Sequence, residues 1–266
     1  MAPKTTRKAS AKRARSPEGI SKDASITHPH KRSKTSVSEV ASSTTVSAVA
    51  DVAPATERSE PAAAASSALA GKFDLYMMDL QFLSEPYLAA GKSEPQFAKL
   101  YDAIQKVQTK SDYTARCIIP AAPFAKDGQL QDRGSRDPME CMPFDIDITS
   151  LELVDKLSFS AAENLKFLTP PKTGPGITGR TKLADESHCG IQSAGGVFRM
   201  KHAWTGKGVD GADVEIFEGY FSFRVAYSGL YRRKGHGSGG ERAFAFWAVR
   251  ARRNAAGEEI GLNEKK

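Results

Sequence analysis

The sequence predicts an α+β protein: a helical first half, a curved antiparallel, barrel-like β-rich second half, and a disordered tail ahead of both. Three observations lead there. Residues 1–71 contain none of the chain's 13 Phe, 7 Tyr and 2 Trp. A clean helical periodicity occupies residues 93–110. From Gly174 to Arg253, short alternating apolar runs are separated by glycines, the texture of antiparallel strands and tight connections.

The tail divides into a basic part and a stretch of Ser, Ala, Thr, Val and Pro over residues 36–71. Such a segment buries too little apolar surface to offset the entropy of ordering its backbone. The 195 residues from Lys72 onward then form one globular domain, a normal size for a single core. Within it, "SEPQFAKLYDAIQKVQTK" (93–110) places Phe97, Leu100, Tyr101, Ile104 and Val107 on one helical face, with Ser93 as cap and Pro95 in the first turn. Upstream, "KFDLYMMDLQFL" (72–83) reads as a second helix ending near Pro86. "YTARCIIPA" (113–121) reads as a strand, residues 122–143 as a long loop, "FDIDITSLELV" (144–154) as a strand and "SFSAAENLKFL" (158–168) as a short helix. The β-rich part spans 174–253 and holds "VEIFEG", "YFSFRVAY" and "AFAFWAVRAR".

Charge is polarised along the chain. Residues 1–34 carry ten Lys and Arg against two acids, and residues 224–253 carry eight against one, so the remainder of a chain with net charge +7 sums to −8. In the tail, Lys12, Arg13 and Arg15 form one cluster and Lys31, Arg32 and Lys34 another. Paired basic runs in a flexible context suit a nuclear import receptor, and the nucleus is the expected location. Ser16 lies beside the first cluster, where a phosphate would cancel much of its charge. No apolar run approaches the roughly 20 residues of a membrane span, so no membrane association is expected. Cys117, Cys141 and Cys189 are too widely spaced for a zinc site and odd in number for a disulfide framework.

Few constellations point to catalysis. "GPGITG" (174–179) fits G-x-G-x-x-G, but it follows two prolines and precedes no periodic helix, so it reads as a turn-rich connection and no cofactor is expected. Asp145 with Asp147, and Asp213 with Glu215, are pairs that could hold magnesium in a phosphodiester or nucleotide enzyme; neither has a lysine in its strand, and solvent-facing acids are the plainer reading. His188 and Cys189 point to opposite faces of any strand. What remains is cationic and aromatic: Arg199, Lys201 and His202 before Trp204, Tyr227 and Tyr231 before Arg232, Arg233 and Lys234, then Arg242, Arg250, Arg252 and Arg253. Cations for phosphate beside rings for bases are the ingredients of nucleic-acid contact.

Several of these pieces resemble landmarks of the SRA or YDG domain, a PUA-like DNA-binding fold: "PGITGR" (175–180), "SAGG" (193–196), "WTGKG" (204–208), "YSGLY" (227–231) and "FAFWAVRARR" (244–253). Fungal domains of unknown function with a terminal Y-x-G-x-Y strand look comparably similar. The resemblance implies a curved barrel with a base-receiving pocket lined by Ala194, Gly195, Gly196, Trp204 and Thr205. Departures are evident: Val197-Phe198-Arg199-Met200 stand where the family carries its base-bonding acid, the signature Asp is Ser228, and the long insert before the signature is absent.

Together these features lead to the expectation of a nuclear, non-enzymatic protein that binds nucleic acid or an acidic chromatin partner. Phosphate contact falls to Arg199, Lys201, Tyr227, Tyr231, Arg232, Arg233, Lys234, Arg242, Arg250 and Arg252 around the Ala194–Thr205 strand. The alternatives are a metal-dependent enzyme using one of the acid pairs, or an interaction module for an acidic protein.

Overall fold

The structure, a computed structural model, describes residues 69–110, 112–185, 190–208 and 211–253. The basic clusters of the tail, His188 and Cys189 lie outside these residues. Eight strands, β1 (Gly71–Met77), β2 (Ala115–Ile119), β3 (Gly128–Asp132), β4 (Ile146–Leu157), β5 (Gly174–Leu183), β6 (Ile191–Lys207), β7 (Asp213–Tyr227) and β8 (Gly239–Arg250), pair in sequence order and close into a barrel. Every pairing is antiparallel, and closure comes from β1 against β8, with Phe73 opposite Arg250 and Met77 opposite Phe246. Closing the sheet removes the unpaired edges an open sheet would present.

Because neighbours alternate in direction, connections fall into two sets. The upper end of the barrel carries the links β1–β2, β3–β4, β5–β6 and β7–β8; the lower end carries β2–β3, β4–β5 and β6–β7. Among the described residues, four helices lie in these links: α1 (Gln81–Tyr87) and α2 (Phe97–Gln108) between β1 and β2, α3 (Ala161–Asn164) between β4 and β5, and α4 (Gly229–Arg233) between β7 and β8. None of the described helices is long and apolar enough to cross a membrane.

Inward side chains fill the barrel. Phe73, Leu75, Phe198, Phe217, Phe221 and Phe246 are among the fully buried residues of one continuous interior cluster. A second cluster lies outside the wall, where α1 and α2 cover β1, β7 and β8: Leu83, Tyr87, Leu100 and Ile104 pack on Tyr76, Tyr220 and Trp247. The predicted face of α2 is the one that docks, since Leu100 and Ile104 are buried one turn apart. Its start differs, because Gln96 is the N-cap, with no side-chain bond, and Ser93 and Pro95 precede the helix.

The helical first half expected from sequence is not found. The first half of residues 72–83 is β1, with Phe73, Leu75 and Met77 turned inward and Tyr76 and Met78 outward under the helices, and only Gln81 to Leu83 belong to α1. Both faces are covered, so the alternation of a half-buried strand is erased and the run imitates a buried helix. Residues 122–143 are not all loop either, for β3 alternates Gly128, Leu130 and Asp132 inward with a single large apolar side chain to signal it. "GPGITG" opens β5 rather than forming a turn. A Cβ at Gly176 would lie 2.7 Å from the Met200 carbonyl oxygen, and one at Gly179 would lie 2.8 Å from Ile148 Cγ2. These glycines permit close strand packing.

One polar knot ties the helical layer to the closure. Asp74, fully buried on the outer side of β1, accepts from Arg116 Nε at 2.5 Å and from Gln108 Nε2 at 2.8 Å. The same Gln108 amide donates to the Arg250 carbonyl of β8 at 2.9 Å. Asp74→Ala leaves the Arg116 cation buried without its carboxylate and should cost about 3–5 kcal/mol. Urea unfolding followed by tryptophan fluorescence measures this loss; a change under 1 kcal/mol contradicts the assigned role.

Candidate functional site

Residues nominated by charge and aromaticity separate into three regions. At the upper rim, β7 ends at Tyr227 and Ser228 caps α4 by accepting from the Leu230 backbone N–H at 3.3 Å. Serine is a good N-cap, so the position serves helix entry. Tyr231 turns down from α4 into the barrel mouth, where it is 6% exposed. Its ring lies edge-on to Tyr227 at 5.4 Å, and its hydroxyl donates to Asp137 Oδ2 at 3.1 Å. Burial, then the Asp137 carboxylate, raises the Tyr231 phenol above its ordinary pKa. Room for this ring exists because residue 190 is glycine: a Cβ there would sit 2.0 Å from the ring, at a φ of +108°. The two tyrosines therefore plug the barrel and offer no stacking platform.

The neighbouring cations face out. Arg232 donates through Nε to the Tyr227 carbonyl at 2.8 Å and through Nη2 to Gln192 Oε1 at 3.2 Å. Arg233 and Lys234 are exposed. None of the three has a carboxylate within 4.0 Å among the described residues. Arg242 is committed inward, with Nε 3.2 Å from Asp132 Oδ2 and its guanidinium over the Phe244 ring.

Elsewhere the cations are occupied by structure. Arg199 pairs with Glu163, whose carboxylate also closes the capping box of α3 by accepting from Ser160 N–H. Lys201 and Glu218 form a buried pair at 2.5 Å on the outer wall. Trp204 is half-buried on that same outer wall, its ring nearly parallel to Phe97 of α2 at 6.3 Å. At the lower end, Arg250 lies over Phe73, bonds the Ala70 carbonyl and approaches Glu215 at 3.6 Å. Thr205 bonds His202, whose Nε2 is 3.8 Å from Glu215. Arg252 donates to the Thr109 carbonyl beyond the end of α2 at 3.1 Å.

The pocket implied by the resemblance is not assembled. Ala194 packs against the barrel interior while Trp204 packs outside it, near the opposite end of β6. Gly196 is needed because Thr181 Oγ1 donates across it to the Ser222 carbonyl at 2.9 Å; a Cβ would stand 2.1 Å from that oxygen. The acid pairs are likewise apart. Asp145 and Asp147 lie at the upper end of β4, where Asp145 accepts from Gln131 and partial burial raises the Asp147 carboxyl pKa. Asp213 and Glu215 lie at the lower end of β7, where Asp213 pairs with Lys207 at 2.7 Å. No group of three or more His, Cys, Asp or Glu is arranged to hold a metal among the described residues.

Among the described residues, three clefts bear on these positions. One of about 150 Å3 lies at the upper mouth between Gly134, Phe144, Phe223 and Arg242. Another of about 340 Å3 lies outside, between Tyr87, Phe97, Pro170 and Glu218. The third, of about 300 Å3, opens in the barrel wall and is lined by Lys182, Leu183, Ile191, Gln192, Ser193 and Ala194. It joins the "SAGG" segment to the basic rim, because Gln192 is the residue that holds Arg232. Lys182 and Gln192 belong to no sequence motif, since single polar residues on strands carry no pattern of their own, and Ser193 enters only as the first residue of the "SAGG" segment.

Fold and site together define a closed up-and-down β-barrel with a packed interior and a basic rim. Comparison with family models, with curated proteins and with solved structures gave no match for the chain.

Replacing Tyr231 by Phe keeps the plug but removes the donor to Asp137, which retains the Met139 and Glu140 backbone N–H groups. A stability loss of about 1–2 kcal/mol is expected. Denaturant titration reads it, and a neutral effect would mean the bond contributes nothing.

Proposed function

We propose that this is a non-enzymatic nucleic-acid-binding protein of the nucleus, contacting the phosphate backbone through the upper rim of its barrel. The observation that carries the reading is the contrast among the nominated cations. Arg199, Lys201, Arg242 and Arg250 lie against carboxylates and Arg252 against backbone carbonyls, whereas Arg232, Arg233 and Lys234 project together with no acidic partner among the described residues. Three uncompensated charges on a short rigid element favour a polyanion, because each phosphate contact releases a condensed counterion. The two bonds that Arg232 makes to Tyr227 and Gln192 fix the direction in which the group points.

The same geometry narrows the mode. Tyr227 and Tyr231 are buried and Trp204 is covered by α2, so the rim has cations without exposed rings beside them. Phosphate contacts position a protein on nucleic acid but carry no base information, and the recognition expected here is independent of sequence. The two basic clusters of the tail support nuclear import and add further loose phosphate contact.

Fluorescence anisotropy with single- and double-stranded oligonucleotides across a salt series tests the rim. The triple variant Arg232→Ala, Arg233→Ala, Lys234→Ala should bind at least tenfold more weakly near 0.1 M salt, with the log–log salt slope on duplex reduced by about 2–3. Unchanged affinity and slope, or saturable binding to an acidic protein with none to oligonucleotides, would overturn the reading. For the tail, a reporter fused to residues 1–40 should concentrate in nuclei, and an even distribution refutes import.

A further inference from the structure

The ladder between β5 and β6 stops before the strands do. Its last pair is Thr181 with Gly196. Above that point Lys182 and Leu183 continue to pair with Asp147 and Ile146 of β4, while Ile191 to Gly195 continue along β7 as far as Tyr227. The two strands thus separate, each held by its other neighbour, and the wall opens as the cleft of about 300 Å3 described above.

Its lining has two characters. Leu183, Ile191 and Ala194 supply apolar surface, with Leu183 buried and Ile191 and Ala194 packed against the barrel interior. Lys182, Ser193 and Gln192 supply an ammonium, a hydroxyl and an amide. Arg232 touches this lining through Gln192: its Nε and one Nη are taken by Tyr227 and Gln192, and its other Nη has no partner among the described residues. Lys182 makes no ion pair within 4.0 Å among the described residues, although its charge acts on the carboxylate of Asp147, its register partner on β4. On the outer face, the Gly195 position lies between the Lys182 row of β5 and its register partner Arg224 of β7, with no side chain to fill the space. An ammonium and a hydroxyl beside an apolar recess, with the Arg232 guanidinium tied to its edge by Gln192, match a phosphate ester of an apolar or aromatic body.

We propose that the open seam between β5 and β6 seats one nucleotide unit, its phosphate held by Lys182, Arg232 and Ser193 and its base and sugar against Leu183, Ile191 and Ala194. The volume suits a ligand of this size, at the lower end of the range for small-molecule pockets. The proposal deepens the nucleic-acid reading and rests on it for the source of the nucleotide, a strand crossing the rim. Its site is distinct from the exposed Arg233 and Lys234.

Isothermal titration of the full chain with adenosine 5′-monophosphate, adenosine and inorganic phosphate tests it. Saturable binding of the monophosphate is expected, at least tenfold tighter than adenosine and tighter than inorganic phosphate. Lys182→Ala removes the ammonium and Ser193→Leu fills the recess without altering charge; each should weaken the monophosphate at least fivefold, while Lys106→Ala, at an exposed position of α2, changes it less than twofold. Circular dichroism checks that each variant is folded. Absence of saturable binding, or binding unaffected by both seam variants, overturns the proposal, and equal affinity for inorganic phosphate overturns its nucleotide part. Oligonucleotide binding without monophosphate binding removes the seam and leaves the rim; monophosphate binding without oligonucleotide binding does the reverse.

Discussion

β1 offers hydrogen bonds on both of its edges, to β2 on one side and β8 on the other, and the barrel exists because that second pairing forms. The chain segments involved are far apart in sequence, so their union carries a large loop-closure cost. Packing offsets it twice over. Phe73 and Leu75 enter the interior, and Tyr76 meets the α1–α2 layer outside. The Gln108 amide then binds the Asp74 carboxylate of β1 and the Arg250 carbonyl of β8 at once, so the end of α2 fastens the two strands whose meeting closes the sheet.

A closed barrel whose interior is filled by phenylalanines has no lumen for a ligand. Chemistry is displaced to places where the regular ladder ends. At the upper rim the chain leaves β7, turns through α4 and re-enters at Gly239, and this excursion drops Tyr231 into the mouth while holding Arg232 outside. In the wall, β5 and β6 part above Thr181 because each remains bonded to its other neighbour. Rim and seam meet at Gln192. A burial requirement, the tyrosine plug, thereby orients a cationic group.

The elements that were legible in the sequence are those whose environment is one-sided. α2 buries a single face, so its period of 3.6 survives in the residue order. β8 is the exception, covered on both faces by the interior and the helical layer, and its aromatic-rich run marks a strand all the same. By contrast β1, covered on both faces, loses its alternation, and the glycines of β5 look like turn residues although they serve close packing against Met200 and Ile148. The same distinction governs the site. Arg232, Arg233 and Lys234 are visible as a local excess of charge, whereas Lys182 meets Gln192 and Ser193 only across the fold.

By itself the sequence determined the composition of the parts: an aromatic-free tail apart from an aromatic-rich domain, one amphipathic helix, a β-rich second half and two basic zones. Those properties are local sums over neighbouring residues, which is why they can be read in order. Tertiary structure alone decided which cations are neutralised, which rings are buried, and where the ladder opens. Pairing across strands brings together residues from distant positions, and burial then divides identical residue types between core and surface.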